Sequence, residues 1–251
     1  MTADILVERE GAVMRLRFNR PDKKNAITSA MYAALAEALE EAQADGAVRA
    51  VTLTGEGDSF TSGNDLKDFM AAASGGGDDL PVYRFLRILS GFAKPIVAGV
   101  QGNAIGIGTT LLLHCDLVAA APDARFSLPF VDLALVPEAA SSMLLPRLIG
   151  PQLAAKHLML AEPFGAEEAL RYGLVAEVAR DVDAAVTAMA ARLAAKPPEA
   201  LRIAKALIRA DAEPVEARIA REGKAFGERL QSAEAAEAFR AFFEKRAPNF
   251  G

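Results

Sequence analysis

Cysteine is almost missing from this 251-residue chain. Cys115 stands alone, so an internal disulfide framework is impossible, and a lone thiol fits a reducing compartment. Histidine is nearly as scarce: His114 and His157 have no second cysteine to join them, too few ligands for a Cys/His zinc site, and no metal is expected. Positive charge is short as well. Lys and Arg number 28 against 33 Asp and Glu, leaving a formal charge of -5 and none of the basic footprint that nucleic acid requires. Long apolar runs are absent. The nearest, residues 96–113, contains Gln101, Asn103 and four glycines and reads as buried rather than membrane-spanning. Residues 1–18 are crossed by Asp4, Glu8, Arg9, Glu10, Arg15 and Arg17, unlike a secretory leader. A soluble, cytoplasmic protein is the expectation. Neither a P-loop nor a G-x-S-x-G elbow occurs.

What is present is an ordinary globular composition, 52% hydrophobic and 24% charged, in a length suited to one large domain or one domain with an appendage. Met14, Leu16 and Phe18 alternate with Arg15 and Arg17, a strand with one wet face, which Asn19-Arg20-Pro21-Asp22 breaks. Thr28 or Ser29 caps a helix running to about Ala44, with Met31, Leu35 and Leu39 at four-residue spacing. Residues 50–54 and 95–100 read as buried strands, and 116–121 as a third after a helix that begins near Gly106. Short helices are expected after Asp65 and over residues 82–91, and residues 74–79 (SGGGDD) as a mobile loop. Strand–helix alternation with strands buried on both faces predicts an α/β core. The last third is helical: Val182, Val186, Met189 and Leu193 share one face, as do Val215, Ile219, Phe226 and Leu230. The expected division is a core over residues 1–196 and a helical extension over 197–251.

Two suggestive runs carry little. His114-Cys115-Asp116 are sequence neighbours, whose side chains diverge on any helix or strand. Gly106-Ile107-Gly108-Thr109-Thr110-Leu111 follows a strand and opens a helix, but Leu stands where a dinucleotide fingerprint needs Gly or Ala.

Two Gly-rich turns deserve more weight. Ser62-Gly63-Asn64-Asp65-Leu66 and residues 102–108 each follow a buried strand and lead into a helix. Glycine permits backbone that exposes N–H groups, and a helix start leaves its first N–H groups unpaired. Two such donors on one carbonyl oxygen would make an oxyanion hole. Ordinary turn and cap chemistry, with Asp65 as a helix cap, explains the same residues. Pro137-Glu138 likewise reads as the first turn of a helix or as a functional carboxylate.

Taken in order, PDKKNAI, FTSGNDLKDF, KPIVAGVQGNAIGIG, LPFVDLALVPEAASSMLLPRLIG and EEALRYGLVAEV resemble the crotonase (enoyl-CoA hydratase/isomerase) superfamily, from Asn19 to about Val178. The resemblance implies an α/β fold with a ββα spiral core, a C-terminal helical trimerisation region, and trimers or dimers of trimers. It implies an acyl-CoA thioester whose carbonyl lies between the N–H groups matching Asn64 and Ile107. The second of these positions is usually glycine in the family. Coenzyme A would belong to the substrate, with no separate cofactor. Its contacts map to Lys23, Lys24, Ala26 (through backbone), Ser62, Asp65, Leu66, Lys67 and, from a neighbouring subunit, Lys245, with Arg84 and Arg87 as further cations. Hydratases of the family carry two glutamates where this chain has Thr110 and Phe130, whereas Glu138 matches the single carboxylate of 3,2-enoyl-CoA isomerases. One carboxylate suits a 1,3-proton shift better than addition of water, which needs both a base and an acid. The alternatives are a hydratase pairing Glu138 with Asp132, a ring-opening or epoxide-type CoA isomerase, and a catalytically silent scaffold or RNA-binding relative.

Overall fold

The computed structural model describes residues 4–74, 80–209 and 214–246, so the expected loop at 74–79 lies, apart from Ser74, outside the described residues. β1 (Ile5–Glu10) and β2 (Val13–Phe18) form an antiparallel hairpin. Met14, Leu16 and Phe18 of β2 point into the core while Arg15 and Arg17 stay at the surface, the alternation expected of a half-wet strand. α1 (Ser29–Ala44) is capped by the Thr28 hydroxyl, which accepts from the Met31 N–H, and buries Met31, Tyr32, Leu35 and Leu39. β3 (Ala50–Gly55) follows, then α2 (Leu66–Ser74), α3 (Pro81–Gly91), the fully buried β4 (Ile96–Val100) and β5 (Asn103–Ile105).

The helix expected near Gly106 is a single turn, α4 (Ile107–Thr110), which tightens at once into a 3-10 turn over Leu111–His114. Local chemistry shortens it: the Thr109 hydroxyl bonds back to the Ala104 carbonyl at 2.5 Å, tying the segment to β5. Beyond it come β6 (Leu117–Ala120), β7 (Arg125–Ser127), α5 (Ser141–Ile149), α6 (Pro151–Met159), β8 (Phe164–Gly165), α7 (Ala166–Tyr172) and β9 (Glu177–Val178). The chain continues through α8 (Val182–Ala194), α9 (Pro198–Ile208), α10 (Val215–Leu230) and α11 (Ala233–Glu244).

The main sheet has the order β1-β2-β3-β4-β6-β9, parallel except for the β1–β2 hairpin. α1 and α3 cover one face. Val182, Val186 and Met189 of α8 cover the other, against Val97 and Ala119. A second sheet, β5-β7-β8, was not foreseen from sequence, because its strands are only two or three residues long. Ile219 of α10 joins the main core, while Phe226 packs with Phe239 of α11 against Phe130 and Leu135 in a smaller cluster. That smaller cluster roofs the site described next. Among the described residues no helix is long and apolar enough to cross a membrane.

Candidate active site

The two Gly-rich turns lie side by side. Thr61 donates its N–H to Asn103 O at 2.9 Å and accepts from the Ile105 N–H at 3.1 Å, a parallel bridge that registers Thr61 on Ala104. Asn64 and Ile107 therefore each stand three residues beyond the same bridge. Gly63 has φ +92, and a Cβ there would sit 2.9 Å from the Ile105 carbonyl oxygen, so the approach of the turns requires glycine. Gly106, with φ +57, turns the chain into α4 and leaves the Ile107 N–H at the helix start. On the other turn, the main-chain groups on either side of Asn64 bond Ile27, from Ile27 N to Gly63 O and from Asp65 N to Ile27 O. Among the described residues, neither the Asn64 N–H nor the Ile107 N–H has an acceptor. They are two free donors at the ends of neighbouring turns.

Both residues line a cavity of about 850 Å³. Lys23, Ala26, Ser62, Asp65, Leu66 and Lys67 line it too, so most of the contacts expected from sequence come together here. Lys24 and Lys245 do not line it: Lys24 pairs with Asp58 at 2.6 Å, and Lys245 is the exposed, left-handed C-cap of α11. Arg84 pairs with Glu40 of α1 at 2.6 Å and, like Arg87, is no part of the lining. The cation that sequence reasoning missed is Arg246, one residue beyond Lys245, which lines the cavity and pairs with Glu237 and Glu244. Asp65 also serves as a cap: one carboxyl oxygen accepts from the Asp68 N–H at 3.3 Å and the other from Arg20 at 3.2 Å. Phe69, Phe130, Phe226, Phe242 and Phe243 form the apolar wall, with the exposed Asp132 at its side. These rings come from segments far apart in sequence, and each reads locally as packing.

Glu138 is half-buried and is not among the cavity-lining residues. Pro137 and Glu138 do not form a first helical turn. Ala139 and Ala140 are both left-handed, and α5 begins only at Ser141. Left-handed alanine costs about 1–2 kcal/mol per residue, so bonds must hold this turn. Ser141 supplies two, donating its N–H and hydroxyl to the Glu138 carbonyl at 2.9 and 2.6 Å. The carboxyl is engaged elsewhere. Its Oε1 accepts from the Thr110 hydroxyl at 2.5 Å, so it sits against the same helical turn that begins with Ile107. Tyr32, buried on α1, approaches from the opposite side. Its hydroxyl donates to Asn64 Oδ1 at 2.5 Å, and burial, with the negative charges of Glu138 and Asp68 adding, pushes the phenol well above its ordinary pKa. Glu138 thus lies within electrostatic reach of the ring that fixes Asn64. Sequence reasoning passed over Tyr32; the available signal was a phenol on an otherwise apolar helix face.

His114, Cys115 and Asp116 diverge as expected. The His114 Nε2 bonds the Ala139 carbonyl at 2.8 Å, and burial lowers its pKa to about 4. Burial pushes the Cys115 thiol up to about 12, far from a thiolate nucleophile, and Asp116 faces Lys205 and Arg209.

Paired turns that follow the central parallel strands β3 and β4, opening onto an apolar cavity with cations at its side, define an α/β fold of the crotonase type. The sequence model of the enoyl-CoA hydratase/isomerase family matches residues 8–251, and the chain belongs to that family. A crystal structure of an enoyl-CoA hydratase/isomerase from Pseudoalteromonas atlantica T6c is similar at 44% identity and a TM-score of 0.94, covering 99% of this chain and 100% of that one. Rat enoyl-CoA delta isomerase 2 is 41% identical over 213 residues, 82% of this chain; the match spans about half, 54%, of the rat protein. The 1,2-epoxyphenylacetyl-CoA isomerase of Escherichia coli K12 is 35% identical over 98% of this chain and 97% of its own.

Proposed function

We propose that this protein is an acyl-CoA isomerase that moves a double bond from the 3- to the 2-position of an enoyl-CoA. The thioester oxygen accepts from the N–H groups of Asn64 and Ile107, and Glu138 carries the proton. The carboxylate takes a proton from the α-carbon, and the electron pair spreads onto the thioester oxygen as an enolate. Glu138 then returns the proton to the γ-carbon, leaving a conjugated product and a regenerated carboxylate. The two amide donors act where negative charge develops, and each is worth about 2.7–4 kcal/mol in such a role. Lys23, Lys67 and Arg246 are the cations beside the cavity suited to the phosphates of coenzyme A, which enters as part of the substrate.

The observation that carries this reading is the Thr110–Glu138 hydrogen bond, which couples the carboxyl to the turn bearing the free Ile107 N–H. Thr110 and Phe130 offer no acid with which to complete a hydration. The test is spectroscopic. A 3-enoyl-CoA should give the ultraviolet band of the conjugated product, and a 2-enoyl-CoA should leave that band unchanged. Loss of the band from the 2-enoyl ester would assign a hydratase. Silence with both would shift the reading to a ring-type CoA ester, or to no catalysis.

Assembly as a trimer or dimer of trimers belongs to the same proposal. Met159, Leu160, Leu207 and Ile208 are all more than 70% exposed in the single chain, apolar side chains that self-association would cover. Sedimentation of the purified protein should return three or six chain masses, and a single chain mass would remove this part of the proposal.

A further inference from the structure

One short segment joins the Ile107 donor to the Glu138 carboxyl. α4 and the 3-10 turn after it carry Ile107, Thr110 and His114 at positions i, i+3 and i+7, the spacing that keeps side chains on one side of a helical path. Ile107 presents its N–H at the start. Thr110, fully buried, donates its hydroxyl to the Glu138 carboxyl. His114, also buried, meets the carbonyl of Ala139, the residue after Glu138. That carbonyl can only accept, so His114 Nε2 carries the hydrogen and the ring is the neutral Nε2–H tautomer. The segment is itself fixed, since Thr109 bonds Ala104 of β5 and the N–H groups of Thr109 and Thr110 both bond Gly106 O.

We infer that Thr110 and His114 are positioning residues that hold the carboxyl and the main chain of Glu138 in fixed register with the Ile107 N–H. The inference rests on the reading of Glu138 as the proton carrier and adds how its aim is set. A glutamate side chain has three rotatable bonds. A 1,3-shift needs a carboxyl oxygen to serve two carbons without wandering from either. Thr110 fixes the carboxyl end, while His114 fixes the left-handed turn from which the side chain springs. A misplacement of about 1 Å can cost about 10²-fold in rate, which is the scale on which such a frame matters. Because burial keeps His114 neutral down to about pH 4, the frame keeps one protonation state across the working range.

The decisive variant is Thr110→Val, which keeps the shape and removes the donor. Its kcat for a 3-enoyl-CoA should fall about 10- to 100-fold with KM little changed. The acid limb of its pH–rate profile should move to higher pH, because a carboxylate that loses a donor holds its proton more tightly. Tyr32 of α1 and Asp68 of α2 share the neighbourhood and are kept in every variant, as is His114 in this one. Thr110→Ser should recover most of the rate and return the limb. In a Glu138→Gln background, Thr110→Val should add no further loss, since nothing then remains to be aimed. A Thr110→Val enzyme with the normal kcat and limb, beside an inactive Glu138→Gln, overturns the inference and leaves the base assignment standing. A lowered rate with a raised KM, an unmoved limb and no rescue by serine also overturns it. An active Glu138→Gln instead removes the base assignment. Should Thr110→Val fail to fold, His114→Gln, which keeps a donor for Ala139, is compared with His114→Leu. The glutamine variant should retain the higher kcat, and equal rates would count against the frame.

Discussion

On the proposed isomerase reading, Glu138→Gln should slow the double-bond shift about 10²–10⁴-fold, the range typical for loss of one positioned acid–base group. Glutamine has nearly the volume of glutamate, and its amide oxygen can still accept from the Thr110 hydroxyl, so the loop and the Asn64 and Ile107 N–H groups stay in place. Only the ability to take and return a proton is lost. The fall should therefore appear in kcat, with KM for the CoA ester close to normal, the signature of an interaction made only in the transition state. Stopped-flow recording of the conjugated thioester band measures both constants. A rate within twofold of the parent would place the proton carrier elsewhere, and Asp132, exposed at the side of the cavity, is the acid to examine next. The outcome bears on the cavity as well. Glu138 does not line it, so a lowered rate would also show that the acyl group reaches beyond the cavity lining.

How much of this was legible depended on whether the cause was local. Thr28 capping α1, the wet and dry faces of β2, and the buried strands β3 and β4 follow from spacing that short stretches of chain enforce by themselves. The two Gly-rich turns were legible as turns. Their alignment through Thr61 and Ala104 was not, because a register between segments some forty residues apart leaves no periodic trace. The helix-start reading of Pro137-Glu138 failed for a related reason. Pro-Glu before small residues is a fair helix-start signal, yet His114 and Ser141 together hold Ala139 and Ala140 in a conformation alanine does not choose. That Lys24 pairs with Asp58 and that Arg246 lines the cavity were not legible, because a one-dimensional charge pattern contains neither pairing nor direction. Tyr32 was hidden in plain composition: its helix position says buried, and only the fold says that its hydroxyl meets Asn64.

Asp116→Ala should be strongly destabilising although it lies outside the site. Asp116 closes the lower end of the sheet: Oδ2 accepts from the Ile96 N–H at 2.7 Å and from Lys205 at 2.7 Å, while Oδ1 accepts from Arg209 at 3.0 Å. One side chain thus ties the start of β4 to helix α9. The Lys205 side chain is only 7% exposed and lies over the Phe92 ring, so deleting its counter-charge strands a buried ammonium that keeps a hydrogen bond to the Lys94 carbonyl. Breaking a buried pair in this way costs about 3–5 kcal/mol, and the 22% exposure of Asp116 argues for the lower end. Lys205→Met should cost less, because Asp116 keeps Arg209 and the Ile96 N–H, and adding it to Asp116→Ala should recover part of the loss. The pH dependence has a definite sign. Burial lowers the pKa of Lys205 to about 8, against the opposing pull of Asp116, whereas the unfolded chain holds that proton to about 10.4. Between those values the unfolded state binds more protons, so the contribution of Lys205 to stability rises with pH. Without Asp116 the folded pKa falls further and the rise begins earlier. Urea midpoints at pH 7 and pH 9 should therefore converge between parent and Asp116→Ala, and a gap that stays constant or widens would show that Lys205 is not the group left stranded.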